Sequence, residues 1–256
     1  MSKVTTTDAS RGDDPARPID GDDAMTRLPL LLIPGLACTA ELWAAQTAAF
    51  SAERTVIVAE HTGAESIADI AAAILEAAPP RFALAGLSMG GYVAMEMMRR
   101  ASERIDRLAL LDTQARADGD EARTARRGQI ELAETGGYDR IPDLLIPRLL
   151  SPAHQRDGAL VELVHRMAAD TGPAAFVRQQ KAILGRIDSR PSLAAIGCPT
   201  TVMVGDEDVI TPIELAREMV EAIPGAVLET VADSGHLSTV EAPAAVNAAL
   251  ARWLAR

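Results

Sequence analysis

Six consecutive residues constrain this chain more than any others: Gly86-Leu87-Ser88-Met89-Gly90-Gly91. A serine with glycine two positions before and two after is a weak signal in isolation. Here it follows an apolar run, Arg81–Leu87 (RFALAGL), and leads into a helix-patterned stretch, Tyr92–Arg100. A strand that turns sharply into a helix forces the turn residue into a strained backbone conformation and exposes its side chain at the sheet edge. Small residues on either side let the neighbouring chains approach closely. The pattern predicts a strand–serine–helix unit with Ser88 Oγ presented at the carboxyl edge of a sheet. The competing reading is a plain βα turn with a helix-capping serine, and the rest of the chain weighs against it.

Apolar strand-like runs recur at Leu28–Ile33, Arg54–Glu60, Ile105–Leu111, Pro199–Val204 and Val227–Val231. Helical patterns separate them at Ile67–Ala78, Pro212–Ile223 and Pro243–Leu254, with Thr211 placed to cap the second of these. Short apolar strands alternating with helices predict an α/β fold: a mostly parallel central sheet with helices on both faces. The stretch from Gln114 to Arg190 breaks the alternation. It shows no strand pattern and reads as short helices at Glu121–Glu134, Ile141–Leu150, Ala159–Ala169 and Ala174–Gly185. The expected organisation is a disordered tail over residues 1–26, a core formed by 27–113 and 191–256, and a helical cap over 114–190.

Composition removes several function classes. With 25 Lys+Arg against 36 Asp+Glu the formal charge is −11, which argues against a nucleic-acid partner. The longest uncharged run, Pro191–Gly205, is broken by Pro, Gly, Ser and Thr and falls short of the ~20 apolar residues of a spanning helix. The first residues lack the apolar centre of a secretory signal. No membrane partner and a cytoplasmic location are therefore expected. Cys38 and Cys198 have neither metal-ligand nor framework spacing, so a reduced protein is expected, with their pairing left open. Nothing in the sequence speaks to oligomeric state.

A serine is not nucleophilic at its free pKa; it needs a base, and the base needs an orienting acid. Of four histidines, His61 follows an early strand and His154 and His165 fall in the helical stretch. His236 stands just after the last strand run, in DSGHL, and is the candidate base. Asp208, a few residues beyond the PTTVMV run, is the candidate acid, while Asp206 and Glu207 read as solvated loop charges. Asp112 also ends a strand and competes with Asp208. The order is serine, aspartate, histidine, the order used by one hydrolase scaffold. An oxyanion hole needs two backbone N–H groups. Met89, after the serine, supplies one; Leu36 in the Pro34-Gly35-Leu36-Ala37 loop supplies the other. Cys38 in that loop reads as a small wall residue. This chemistry requires no metal and no organic cofactor.

With these residues in hand, the chain resembles the α/β-hydrolases with a helical cap, over roughly Pro29 to Leu254. It is similar to the branch holding carrier-protein methyl esterases and 3-oxoadipate enol-lactonases. The segments carrying the likeness are LLLIPGLACTAELW, GLSMGG, LALLDT, CPTTVMVGDEDVITP and DSGHLSTVEAP. The resemblance implies Ser88 as nucleophile, His236 as base, Asp208 as acid, and Leu36 and Met89 as oxyanion donors. Many such relatives have His-Gly where this chain has Pro34-Gly35, which leaves the support of that loop to be found elsewhere.

The expected activity is hydrolysis of carboxylic esters of small or medium, mainly apolar substrates through an acyl-enzyme. Trp43, Leu145, Leu149, Phe176 and Leu237 are the expected substrate walls, with Leu36 and Met89 beside them. Arg126, Arg127, Arg148, Arg178 and Lys181 read mainly as a solvated face, with an acidic substrate or partner as the alternative. An enol-lactonase, a carbon–carbon bond hydrolase or an acyltransferase would use the same triad. A non-catalytic ligand receptor would have no need of all three of its residues.

Overall fold

The computed structural model describes residues 27–256, so the expected tail lies outside the described residues. Six parallel strands form one sheet in the order β2-β1-β3-β4-β5-β6. They are β1 (Leu30–Ile33), β2 (Val56–Val58), β3 (Phe82–Leu87), β4 (Ile105–Leu111), β5 (Thr200–Gly205) and β6 (Val227–Val231). Every residue of β1, β3 and β5 is buried, whereas β2 is half-buried throughout and β6 keeps exposed positions. That difference explains the sequence. Strands covered on both faces read as unbroken apolar runs, and the two edges are shorter or mixed. The run Arg54–Glu60 shrinks to three paired residues because β2 meets only Leu30–Leu32 of β1.

The helices are α1 (Ala44–Phe50), α2 (Ile67–Ala77), α3 (Met89–Ala101), α4 (Asp120–Glu134), α5 (Ile141–Leu149), α6 (Gly158–Leu184), α7 (Arg190–Leu193), α8 (Ile213–Ala222), α9 (Ser238–Glu241) and α10 (Pro243–Leu254). Among the described residues none is long and apolar enough to cross a membrane. Three boundaries depart from the sequence reading for physical reasons. Helix α3 starts at Met89 rather than Tyr92 because Gly90 and Gly91 lie inside its first turn, where a side chain would collide with neighbouring strand ends. Helix α8 starts after Pro212, which is itself the capping residue; Thr211 does not cap it, since its hydroxyl is turned to Asp208. Helix α6 joins the two short helices expected at Ala159–Ala169 and Ala174–Gly185 through a sharp bend at Gly172 (φ 73°, ψ 161°). Glycine takes that conformation without penalty, and Pro173 beside it lacks the N–H of a continuous helix.

The core has two main halves, one on each face of the sheet. Leu31, Ile33, Leu84 and Leu110 point to one side with α2, α3 and α8; Leu30, Leu32, Ala85, Leu111 and Met203 point to the other with Trp43 and Trp253. The first limb of α6 joins the second half through Val164 and Met167. The other limb packs Phe176 and Val177 on Ala133, Tyr138 and Ile141 in a satellite cluster. Strand β1 pairs β2 on one side and β3 on the other, so successive connections leave it in opposite directions. Beyond the carboxyl ends of strands at such a switch point, a parallel sheet opens a crevice. Side chains of α4, α5 and α6 line it.

Candidate active site

The register brings the chemistry to one edge. Ile33 lies beside Gly86, Leu87 beside Leu111, Leu111 beside Met203, and Gly205 beside Val231. The loops after β1, β3, β4, β5 and β6 therefore emerge side by side. Among the described residues, four other than glycine have positive φ, and all sit in these loops: Ala37, Ser88, Asp112 and Asp233. Strain concentrated in this way marks positions the surroundings over-determine.

Ser88 adopts φ 54°, ψ −114°. A side chain at Gly86 would strike the Gly90 carbonyl, and one at Gly90 would strike the Ile33 carbonyl, both well inside the 3.0 Å below which a Cβ does not sit. The paired glycines thus let the turn fold onto β1. Thr113 Oγ1 donates to the Ser88 carbonyl at 2.7 Å, and Ser88 N–H donates to Leu111 O at 2.9 Å.

His236 Nε2 lies 2.8 Å from Ser88 Oγ, and His236 Nδ1 lies 2.8 Å from Asp208 Oδ2. Asp208 Oδ1 accepts from the Ile210 and Thr211 N–H groups at 2.8 and 2.9 Å, and Oδ2 accepts from Thr211 Oγ1 at 2.7 Å. Burial alone would raise this carboxyl; the His236 ring and the Thr211 donors outweigh it and hold Asp208 well below the usual carboxylate range. Burial alone would likewise lower His236, but the facing Asp208 carboxylate outweighs it and the ring is raised above its ordinary value. The result is an anion beside a ring ready to take a proton.

Asp112, the competing acid, holds something else. Its Oδ1 accepts from Gly205 N–H at 2.9 Å and its Oδ2 contacts Ser238 Oγ, so it ties β5 to α9 rather than to the imidazole. Complete burial, then the nearby Asp208 charge, push Asp112 up to about 8. Two carboxyls in one region are thereby pushed in opposite directions, Asp208 down and Asp112 up.

The sequence reading missed Glu241. Its side chain is fully buried and accepts from Gly235 N–H and Leu237 N–H, on either side of His236, at 3.0 and 3.2 Å. The other oxygen takes Ser151 N–H at 2.7 Å and lies 3.1 Å from His154 Nδ1. His236 N–H itself donates to Leu149 O. The only available signal was an acidic residue five positions after the histidine.

Ser88 opens into a cavity of about 170 Å³. Leu36, Leu145, Leu149 and Leu237 line it, together with Tyr92, Ile141, Val164 and Met167. Trp43 and Phe176 do not. Trp43 is fully buried beneath the sheet in the second core half, and Phe176 is buried against Tyr138, 5.4 Å between ring centroids. Both are core residues because a flat ring packs best between apolar layers. The Met89 side chain is also buried in the core, away from the cavity lining. Cys38 lines the cavity, but burial pushes its thiol up to about 12, so it is no nucleophile at neutral pH. Cys38 and Cys198 are both free thiols.

The basic residues of the helical stretch divide. Arg127 is exposed, Arg178 donates to Thr62 O, and Lys181 pairs with exposed Glu65. Arg148 is exposed at the cavity mouth. Arg126 instead lines the cavity with only 19% of its side chain exposed; Nε bonds Asp118 at 2.7 Å and Nη1 bonds Gln180 at 2.8 Å. Asp118 is shared with Arg186, also buried, at 2.8 Å. This trio leaves one cation in excess at the wall of the cavity, beside Gln114 and Gln129. Sequence reasoning could not separate Arg126 from its neighbours, because on α4 it differs from Arg127 only by a hundred degrees of rotation.

The profile of the alpha/beta hydrolase family matches residues 30–249. The chain is 28% identical to 3-oxoadipate enol-lactonase 2 of Acinetobacter baylyi over 173 residues, 67% of this chain and 62% of that protein. A malate-bound thermophilic esterase from Thermogutta terrifontis superposes with TM-score 0.82 and 31% identity, covering 90% of each chain. The enol-lactonase from Burkholderia xenovorans LB400 superposes with TM-score 0.82 and 25% identity, covering 93% of this chain and 95% of its own.

Proposed function

Since the chain belongs to the alpha/beta hydrolase family, we propose that it is a serine hydrolase that cleaves carboxylic esters, with residues 114–190 as a cap over the substrate. The observation that carries this reading is the unbroken chain of 2.8 Å contacts from Ser88 Oγ through His236 to Asp208, opening on a cavity. In the proposed cycle His236 Nε2 takes the Ser88 proton as Oγ attacks the ester carbonyl. Asp208 steadies the imidazolium that forms. The Leu36 and Met89 N–H groups receive the oxyanion. His236 then protonates the departing alkoxide, and a water deprotonated by the same ring releases the acid. Each oxyanion donor is worth about 2.7–4 kcal/mol of barrier lowering in such sites.

The cavity suits an apolar acyl or alkyl chain, and Arg126 adds an anion-binding end to it. A buried cation in excess is costly until an anion joins it. Arg126 therefore favours esters or lactones whose remote end is a carboxylate, in keeping with the malate in the Thermogutta esterase and with the two enol-lactonases. A panel of p-nitrophenyl butyrate, methyl hexanoate, monomethyl adipate and a γ-lactone, run beside fluorophosphonate labelling, tests the whole reading. Ser88 is expected to take the label, and monomethyl adipate to surpass methyl hexanoate by about tenfold in kcat/KM, a margin of roughly 1.4 kcal/mol that Arg126→Gln removes. An unlabelled Ser88 in folded protein would overturn the hydrolase reading, whereas equal rates on the two methyl esters would overturn only the anionic preference.

The histidine gives a second expectation. Turnover requires the neutral ring, and His236 in the folded protein is raised above 6.5. Activity is therefore lost as pH falls through that raised value and holds a plateau on the alkaline side. In Asp208→Asn the raising carboxylate is gone, so the acid limb moves to lower pH while the plateau drops by about 10⁴-fold. A pH–kcat/KM profile on p-nitrophenyl butyrate reads both effects, and an unmoved limb would contradict the assignment of Asp208.

A further inference from the structure

The loop that carries the proposed Leu36 donor is held only weakly from within, Cys38 N–H donating to Gly35 O at 3.3 Å and Cys38 Sγ to Leu36 O at 3.4 Å. Pro34 has no N–H, Gly35 has no side chain, and Ala37 sits at φ 55°, a conformation alanine adopts only under constraint. Two side chains from distant parts of the sequence supply the constraint. Gln179 Oε1 accepts from Ala37 N–H at 3.0 Å. His61 Nε2 lies 2.9 Å from Gly35 O. The two side chains also touch each other, with His61 Nε2 and Gln179 Nε2 3.0 Å apart. His61 is 3% exposed and Gln179 is fully buried. Neither lines the cavity, so neither meets a substrate.

The protonation pattern follows. Burial lowers the His61 pKa, so the ring is neutral at pH 7 and carries one proton. A carbonyl oxygen can only accept, so that proton sits on Nε2 and is donated to Gly35 O. An N–H can only donate, so the Gln179 amide must turn Oε1 to Ala37. Gln179 Nε2 and His61 Nε2 lie 3.0 Å apart, so the ring nitrogen that donates to Gly35 O cannot also accept from the amide. Gly35 is thereby held by its oxygen and Ala37 by its nitrogen, and Leu36 lies between them. Because the Ala37 N–H is taken, the Leu36 N–H is the donor left to face the serine. His61 comes from the segment after β2, whereas Gln179 belongs to the second limb of α6.

We propose that His61 and Gln179 are positioning residues for the oxyanion hole, and that Gln179 makes completion of the hole depend on the seating of α6 over the sheet. The proposal rests on the hydrolase reading above. Misplacing one oxyanion donor by a fraction of an ångström costs rate without loosening the ground-state complex.

The test uses the full chain with Gln179→Met, His61→Phe and His61→Gln, the last keeping a donor near the place of Nε2. Three measurements are made: kcat and KM on p-nitrophenyl butyrate, inhibition by an alkyl boronic acid that forms a tetrahedral adduct on Ser88, and amide hydrogen exchange at Leu36 and Ala37. Gln179→Met and His61→Phe are expected to lower kcat by about 10- to 100-fold with KM within about twofold. Boronate affinity falls by a similar factor, and Ala37 loses exchange protection in Gln179→Met. His61→Gln recovers most of the loss. The proposal is overturned if kcat in folded Gln179→Met stays within twofold of the parent, if KM absorbs the whole effect, or if Ala37 protection is unchanged. A parent that neither turns over the ester nor binds the boronate would overturn the hydrolase reading instead, while the exchange measurement still decides whether Gln179 and His61 hold the loop.

Discussion

Ser88→Ala is expected to abolish turnover while leaving the fold intact. The substitution removes one oxygen from a half-buried side chain whose hydrogen-bond partner is His236 Nε2. The strained turn is built by Gly86, Gly90 and Thr113, none of which depends on the hydroxyl. The melting temperature should stay within a few degrees. The kinetic loss should be on the order of 10⁶-fold in kcat, because nucleophile and base act as one unit. A residual acceleration of roughly 10³-fold over water should survive from the oxyanion donors and substrate positioning. Adding His236→Ala to Ser88→Ala should then cost almost nothing more, since the histidine has no nucleophile left to activate. Burst kinetics on p-nitrophenyl butyrate give a direct reading: the acyl-enzyme burst vanishes in Ser88→Ala. Retention of more than a tenth of the parent rate would remove Ser88 from the mechanism.

The largest effect on stability is expected at Gly90. Its missing Cβ would lie against the Ile33 and Pro34 carbonyls, all three of its nearest contacts being backbone atoms inside 3.0 Å. Backbone cannot yield as the end of a flexible side chain can. Ile33 is the last residue of β1, paired with Gly86. Relief requires α3 to withdraw from β1, which opens the core between them. Gly90→Ala should therefore cost more than about 4 kcal/mol, in the range reserved for overpacking at a position that cannot relax. Gly128 provides the control. It lies inside α4 with nothing within 4 Å of its notional Cβ, so Gly128→Ala should stabilise by about 0.5–1 kcal/mol through helix propensity alone. Urea unfolding of the two variants measures both, and similar midpoints for the two would contradict the close approach of α3 to β1.

What the sequence made legible followed from local periodicity and from order along the chain. Strand β6 coincides with the run Val227–Val231 because Pro224-Gly225 and Asp233-Ser234-Gly235 bound it, and helix α10 with Pro243–Leu254 because a proline opens its first turn. Ser88, Asp208 and His236 were legible because each follows a strand, and parallel strands bring all such loops to one edge. The walls were harder. Whether a large apolar side chain faces a cavity or a core depends on helix rotation and on what lies across from it. Phe176 and Leu145 both come from the helical stretch, yet one is buried and the other faces the cavity. Glu241, His61 and Gln179 escaped notice for a related reason. Their partners are backbone N–H and C=O groups distant in sequence, and no residue-type pattern announces a backbone partner.

Helices α4, α5 and α6 come from one uninterrupted length of chain, and that continuity has a practical meaning for anyone remodelling the protein. The whole length could be exchanged as a cassette, altering what fits above Ser88 while Ser88, Asp208 and His236 remain in the host. Such a graft would meet three fixed sockets near Ser88 and His236, besides outer contacts such as that of Arg178 with Thr62 O. Ala37 N–H expects the acceptor now supplied by Gln179, Glu241 expects the N–H of Ser151, and the backbone N–H groups of His236 and Leu237 expect the carbonyl of Leu149. A replacement that fills the cavity but leaves these sockets empty inherits a new shape on disordered machinery. One that fills all three is the better starting point for a change of specificity.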